Sequence, residues 1–189
     1  MSRAYRIRVK EAVSKDLSAS DEVCSDLEIL EILPGDQMAD LLAGELKKRG
    51  FEEKNGKLIR DQDGVMVAVD PKSGEVSVKA EKQEKVELET EKEGWGYDDI
   101  GPHARTVRKQ LSDQAKADLD RRADKQQERL QGEATEKLEG VMEDVRKDLN
   151  DAVNAVTREA LKRKAAQIGQ IKEMSEDPEA GSLTIKVEV

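Results

Sequence analysis

Hydrophobic residues recur mostly every third or fourth position from His103 to Met174, a stretch of roughly seventy residues without proline. This spacing puts them on one narrow stripe of an amphipathic helix, which we call the seam. The seam comprises Val107, Leu111, Ala115, Leu119, Ala123, Leu130, Ala134, Leu138, Met142, Val145, Leu149, Ala152, Val156 and Ala160. A lone helix would leave the seam in water, so another segment has to cover it.

The helical stretch either folds back on itself or runs straight. Gly132 and Gly140 mark a weak region near its middle, because each glycine costs a helix about 1 kcal/mol relative to alanine. A turn there makes an antiparallel helical hairpin, which returns the chain to its start within one molecule. We expect this hairpin. The alternative is a continuous helix whose seam and last strand need a second chain.

The segments before the helix alternate between apolar and polar residues, as strands do. Residues 5–9 predict a strand with a basic outer face, followed by a polar turn at 14–20 and a second strand at 22–33. Asp36 then caps a short helix that Gly50 ends. Beyond it, three turn signals, the last at 70–74, predict an antiparallel meander. Residues 81–93 continue it either as a long exposed strand or as a partly ordered edge.

The turn signals are Asn55-Gly56, Asp63-Gly64 and Asp70-Pro71-Lys72-Ser73-Gly74. A glycine-rich connector at 94–102 follows the meander and contains Trp95, the only tryptophan. Aromatic rings in such a connector mostly pack against neighbouring elements, so we interpret Trp95 as an anchor. At the other end of the helix, residues 183–189 alternate as a strand that returns to the sheet.

These patterns predict an α+β fold. It has a mainly antiparallel sheet with one short helix, a long protruding helical hairpin resembling a coiled coil, and a C-terminal strand that returns to the sheet. We divide the chain into an α+β sheet domain (1–93), a Gly/Trp connector (94–102), a long helical arm (103–175) and a C-terminal strand (176–189).

Charge narrows the range of partners. The chain carries 33 Lys and Arg against 42 Asp and Glu, a net charge of -9. Residues 103–175 hold 16 basic and 14 acidic residues, which leaves 17 (33 − 16) against 28 (42 − 14) elsewhere. Such an acidic surface repels phosphate backbones, so we expect no nucleic-acid partner. No apolar run approaches the roughly 20 residues that cross a bilayer, so we expect no membrane insertion.

Few residues suit catalysis. His103 is the sole histidine, and Cys24 is the sole cysteine, which fits a reducing cytoplasm. Asp98 and Asp99 could bind a hard cation, although turn and capping roles are commoner for such a pair. Walker, GxGxxG, CxxC and HExxH patterns are absent from the sequence. We therefore expect a non-enzyme with no cofactor and no metal.

Three stretches resemble a known bacterial family. They are the opening Met1-Ser-Arg-Ala-Tyr-Arg-Ile-Arg-Val9, the segment Leu27-Glu-Ile-Leu-Glu-Ile-Leu-Pro34, and the C-terminal part. In the C-terminal part, Val156-Thr-Arg-Glu-Ala-Leu-Lys-Arg-Lys-Ala-Ala-Gln-Ile-Gly-Gln-Ile171 is followed by Gly181-Ser-Leu-Thr-Ile-Lys-Val-Glu-Val189. Together they resemble accessory proteins of ternary systems that combine FtsH-like AAA ATPases, MoxR-type AAA ATPases and von Willebrand factor A proteins. The resemblance implies an adaptor that works with a AAA machine, and it supplies no site residues.

The sequence therefore predicts an adaptor or assembly subunit that acts through the helical arm and the sheet edge. The expected partner is a AAA ATPase or a von Willebrand factor A protein, and a homodimer through the arm is the alternative assembly. The candidate contact residues are Leu138, Met142, Val145, Leu149, Val156 and Trp95. A second hypothesis is a regulator that binds a small ligand or metal through residues 95–103.

Overall fold

The computed structural model describes residues 4–97, 103–177 and 182–188. Its elements are β1 (Ala4–Asp26), α1 (Gly35–Lys48), β2 (Glu52–Lys54), β3 (Lys57–Gln62), β4 (Val65–Val69), β5 (Glu75–Tyr97), α2 (Ala104–Ile168), β6 (Gln170–Asp177) and β7 (Ser182–Glu188). One antiparallel sheet has the strand order β1-β5-β4-β3-β2, and β6 and β7 form a second sheet of two strands. The predicted α+β class is confirmed.

The helical stretch is one uninterrupted helix of 65 residues, so the predicted helical hairpin is wrong. Gly132 and Gly140 lie inside α2 and keep helical backbone, whereas the described glycines with positive φ belong to turns elsewhere in the chain. Two isolated glycines cost a long helix only about 2 kcal/mol. Burial of the seam on both sides of them outweighs that cost.

The seam follows an 11-residue repeat. Leu130, Val141 and Ala152 are buried at steps of eleven, and the same step relates Leu138 to Leu149. Val141 takes the seam position that the sequence pattern assigned to Met142, which is only partly buried. Eleven residues in three turns give 3.67 residues per turn, unlike the 3.5 of a left-handed coiled coil. The coiled-coil character of the helix stays a prediction.

The end of the helix and the last strand also differ from expectation. Helix α2 ends at Ile168 instead of near residue 175, and residues 170–177 form β6. Strand β7 pairs with β6, so the C-terminal strand does not return to the larger sheet. Gly169 allows β7 to approach the start of β6, because a Cβ atom at this position would collide with the carbonyl oxygen of Glu188.

The chain forms two compact units. Unit 1 comprises Met1–Asp21 and Glu81–Glu136, and unit 2 comprises Glu22–Ala80 and Lys137–Val189. The units cut across the four predicted segments, since each unit contains both strand and helix.

In unit 1, β1 and β5 pair as a ribbon and α2 covers its inner face. Ile7 is buried with Val107 and Leu111 of the helix, and Tyr5 and Val9 pack against them. Farther along, the seam residues Ala115, Leu119 and Ala123 are also buried. A polar contact lies beside them, in which the hydroxyl of the buried Thr90 donates to Asp118 at 3.1 Å.

The predicted turn at 14–20 is wrong, because these residues continue β1 to Asp26. Their partners on α2 are polar. Gln127 and Gln131 donate to the carbonyl oxygens of Ser18 and Ser20 at 2.7 and 3.1 Å. Lys15 forms an ion pair with α2 at 2.8 Å. A strand with turn-like composition is stable here since its hydrogen-bonding groups are satisfied across the interface. The second strand, predicted at 22–33, is not a separate element: residues 22–26 are the end of β1, and residues 27–33 are not strand.

In unit 2, α1 and α2 cover the inner face of the five-stranded sheet. The shared core contains Leu42 and Leu46 of α1, Val67 and Val78 of the sheet, and Val145 of α2. The predicted meander is confirmed, with its turns at the predicted positions.

The local signals explain these turns and the helix ends. Asn55 and Asp63 have positive φ, as do the glycines that follow them, which is typical of tight hairpin turns. Gly50 ends α1 with φ of 85°, as predicted. Asp36 lies in the first turn of α1 and Pro34 occupies the cap position, so the predicted aspartate cap is wrong.

Asp148 of α2 links three elements of unit 2. It accepts hydrogen bonds from Arg49, which follows α1, and from Arg60 of β3, both at 2.7 Å. The guanidinium of Arg60 also lies 4.5 Å from the ring centroid of Phe51. Partial burial alone would raise the pKa of Asp148, but the two arginine hydrogen bonds outweigh it and hold this pKa below the ordinary value.

Replacing Asp148 tests this cluster. Because the pKa of Asp148 is lower in the folded state, its contribution is complete above the unfolded-state pKa of about 4 and is lost as the pH falls through the folded-state pKa. Asp148→Asn should therefore lower the free energy of unfolding by about 1–2 kcal/mol at pH 7. Urea unfolding should show that this difference shrinks below pH ~4. Asp144→Asn, an exposed change on the same helix, is the control, and an equal loss at pH 3 and pH 7 would contradict the prediction.

The two mid-helix glycines offer an independent test. A Cβ atom at Gly132 or Gly140 would have no heavy atom within 4 Å beyond the adjacent residues and the surrounding helix backbone. Gly132→Ala and Gly140→Ala should each stabilise the protein by up to about 1 kcal/mol in thermal or urea unfolding. Gly50→Ala is the contrasting variant and should destabilise the protein, since φ there is positive. Destabilisation by both helix variants would indicate a turn at these positions.

Candidate interaction surface

The segment Gly94–Tyr97 ends strand β5 and alternates between glycine and aromatic residues. The glycines face the interior of unit 1. A Cβ atom at Gly96 would lie 2.8 Å from the ring of Tyr5, and one at Gly94 would lie 3.1 Å from the side chain of Leu111. Both glycines therefore provide room for side chains that pack on the inner face of the ribbon.

The aromatic residues face outward. Trp95 is 59% exposed and Tyr97 is 42% exposed. The interpretation of Trp95 as a packing anchor is therefore wrong: the strand geometry directs its ring away from α2. Burial of large rings is strongly favourable, and an exposed Trp next to an exposed Tyr marks a surface suited to a protein partner.

An ion-pair ladder occupies the same outer face. Arg6, Arg8 and Lys10 of β1 pair with Glu93, Glu91 and Glu89 of β5. Arg8 also approaches Glu93 at 2.7 Å. Each step of two residues forward along β1 matches a step of two residues back along β5, and these pairs fix the antiparallel register. Exposed pairs of this kind contribute about 0–1 kcal/mol each, so their main effect is on register and surface charge.

We define the aromatic surface as Trp95 and Tyr97 together with the adjoining ladder. Trp95 was among the contact residues predicted from the sequence, whereas Tyr97 was not. The alternation along β5 does predict its exposure. Val86 and Leu88 occupy even positions that point inward, and Gly94 and Gly96 continue this pattern. Both aromatic residues are at odd positions and therefore lie on the outer face.

The seam residues proposed as partner contacts are instead part of unit 2's core. Leu138, Val145, Leu149 and Val156 are at most 5% exposed, and Met142 is partly buried beside them. Their apolar atoms are covered within the chain and are not available to a partner.

The chemistry-bearing residues remain dispersed. His103 is exposed, and its carbonyl accepts hydrogen bonds from the first turn of α2. Cys24 is an exposed free thiol on β1. Asp98 and Asp99, the cation candidates of the connector, lie outside the described residues. Within the described ranges, no three His, Cys, Asp or Glu residues are grouped as metal ligands would be.

Basic residues near the end of α2 line a groove against α1. Lys162 and Arg163 lie on one side and Lys48 on the other, in a volume of about 600 Å³. Arg163 pairs with Glu159 at 3.1 Å, and Asp40 and Glu45 also line the groove, so its charges are mixed. The groove is open and polar, which does not favour a buried small-molecule ligand.

Comparison with known proteins identifies the family. The family model described as FtsH ternary system domain X5 matches residues 1–189, and the chain belongs to this family. The chain has no match among curated proteins or solved structures. None of the described helices is both long and apolar enough to span a membrane.

Trp95 provides a direct optical test of the aromatic surface. Its exposure predicts fluorescence emission close to that of tryptophan in water and efficient quenching by acrylamide. A surface that binds protein predicts no change in this emission across a panel of divalent cations and nucleotides. A saturable change with any member of the panel would instead support the ligand-binding hypothesis for residues 95–103.

Proposed function

We propose that this member of the FtsH ternary system domain X5 family is a non-enzymatic adaptor that binds a AAA ATPase, or its von Willebrand factor A companion, through the aromatic surface. The observation that carries the proposal is the exposure of Trp95 on a regular strand whose opposite face is packed against α2. Membership of a multi-component system supports a protein partner.

The composition of the surface supports protein recognition. Tryptophan, tyrosine and arginine are the residues most enriched among those that dominate binding energy at interfaces. Here Trp95, Tyr97, Arg6 and Arg8 share one strand face. The ion-pair ladder beside the rings would form a polar rim, which excludes water from an apolar centre when a partner docks.

Rigidity of the surface favours affinity. Trp95 lies between two glycines that are close to Tyr5 and Leu111, so the strand on which it stands is held against the helix. A partner that binds a preformed strand face does not have to order it, and this lowers the entropic cost of association.

The proposed role includes no catalysis and no cofactor. A chain with one histidine and one cysteine offers few groups for acid–base or nucleophilic chemistry. Cytoplasmic residence, with the single thiol kept reduced, is part of the proposal.

The test is binding of the purified chain to the purified AAA ATPase and von Willebrand factor A protein of the same ternary system. Trp95→Ser should weaken binding about tenfold or more, because truncation of a central aromatic typically costs at least ~2 kcal/mol. Leu30→Ser is the matched control, since Leu30 is 65% exposed but lies outside the aromatic surface. Equal binding by both variants, or no binding by the wild-type chain, would refute the proposal.

A further inference from the structure

We propose that two copies of this chain associate through β7, each β7 adding to the other as an antiparallel strand centred on Ile185. The interaction surface is the edge of β7 that pairs with no other strand of the described residues, and the occupant is a second copy of the same chain. This inference is independent of the proposed function, which concerns a different surface and a different protein.

The β6–β7 sheet is too small to be stable by its own packing. Sheets of two strands are marginal in water and gain stability from further strands or a covering element. One face of this sheet carries Ile171, Met174, Leu183, Ile185 and Val187, and it is mostly apolar, although Glu176 lies opposite Leu183 in the register. All of these apolar residues except Met174 are partly buried. Neither buried cluster formed by the described residues includes any of these five, and Met174 is 42% exposed.

The edge most suited to pairing is that of β7. Strand β6 has a register irregularity between Ile171 and Glu173, and such a bulge interrupts the regular row of hydrogen-bonding groups. Strand β7 is regular over its seven residues, Ser182–Glu188. Among the described residues it has a strand on one side only.

The sequence of β7 is self-complementary in antiparallel register. Ile185 lies at the middle of the strand. A two-fold axis at this residue places Ile185 opposite the partner's Ile185 and Leu183 opposite the partner's Val187. Directly opposed residues point to the same face, so the apolar face continues across the junction, and a slip by one residue would destroy this match.

Charge favours the same arrangement. With the axis at Ile185, Lys186 faces the partner's Thr184 and Glu188 faces the partner's Ser182, so no like charges are opposed. A parallel in-register pairing would instead oppose Lys186 to the partner's Lys186 and Glu188 to the partner's Glu188, which is unfavourable. The symmetric contact also closes after two chains, as isologous interfaces do.

The test measures the mass of the full chain in solution by light scattering after size-exclusion chromatography. It compares the wild-type chain with variants that carry a charge at residue 185, which lies on the two-fold axis. The wild-type chain should be a dimer. Ile185→Glu and Ile185→Lys should each be monomeric, because each places two like charges against one another. An equimolar mixture of these two variants should restore the dimer, since glutamate then faces lysine.

Met66→Glu is the control, as Met66 is 43% exposed on strand β4 and should leave the dimer intact when replaced. A monomeric wild-type chain would overturn the proposal. So would single Ile185 variants that remain dimeric, which would place the interface elsewhere, or a mixture that stays monomeric. None of these outcomes bears on whether Trp95 contacts a AAA ATPase.

Discussion

The apolar seam of α2 has to be covered, and the chain covers it with its own strands. In unit 1 the seam packs on the inner face of the β1–β5 ribbon, and in unit 2 it joins the sheet and α1 in a common core. The apolar spacing of the sequence is compatible with two ways of covering the seam, a helical hairpin or a second chain. The structure uses a third way, in which a continuous helix packs on sheet, and this removes the seam as a docking surface.

The strand edges and faces that α2 leaves uncovered are then the surfaces on which a partner can bind. Along β1, glutamines of α2 bind the carbonyl oxygens of Ser18 and Ser20, which occupies groups that another strand could use. The outer face of the ribbon presents Trp95 and Tyr97, and the β6–β7 sheet presents a mostly apolar face. The proposed partner of the aromatic surface is a different protein, and the proposed partner of the β6–β7 sheet is a second copy of this chain.

The sequence predicted correctly those elements that are determined by a few neighbouring residues. Asn55-Gly56 and Asp63-Gly64 fix tight turns by themselves, and the apolar spacing of α1 with Gly50 after it defines a helix. These parts of the fold followed from the sequence. The family was also recognisable from the sequence, and the match over residues 1–189 confirms it.

Elements set by tertiary partners did not follow from the sequence. The polar stretch at 14–20 has turn composition, yet it is strand because α2 satisfies it. The residues Gly94–Tyr97 were assigned to the connector, because only the packing of Tyr5 and Leu111 explains why glycine is needed there. The exposure of Trp95 could have been inferred from strand phase alone, whereas the pairing of β6 with β7 depends on the close approach at Gly169.

The continuity of α2 is the claim on which the rest depends, and residue-resolved amide hydrogen exchange tests it most directly. A continuous helix predicts that amides from Gly132 to Gly140 are protected to a degree similar to those of the flanking turns, since each donates to the carbonyl four residues before it. A run of unprotected amides between these glycines, with protected helix on both sides, would show that the chain turns there and would contradict the account.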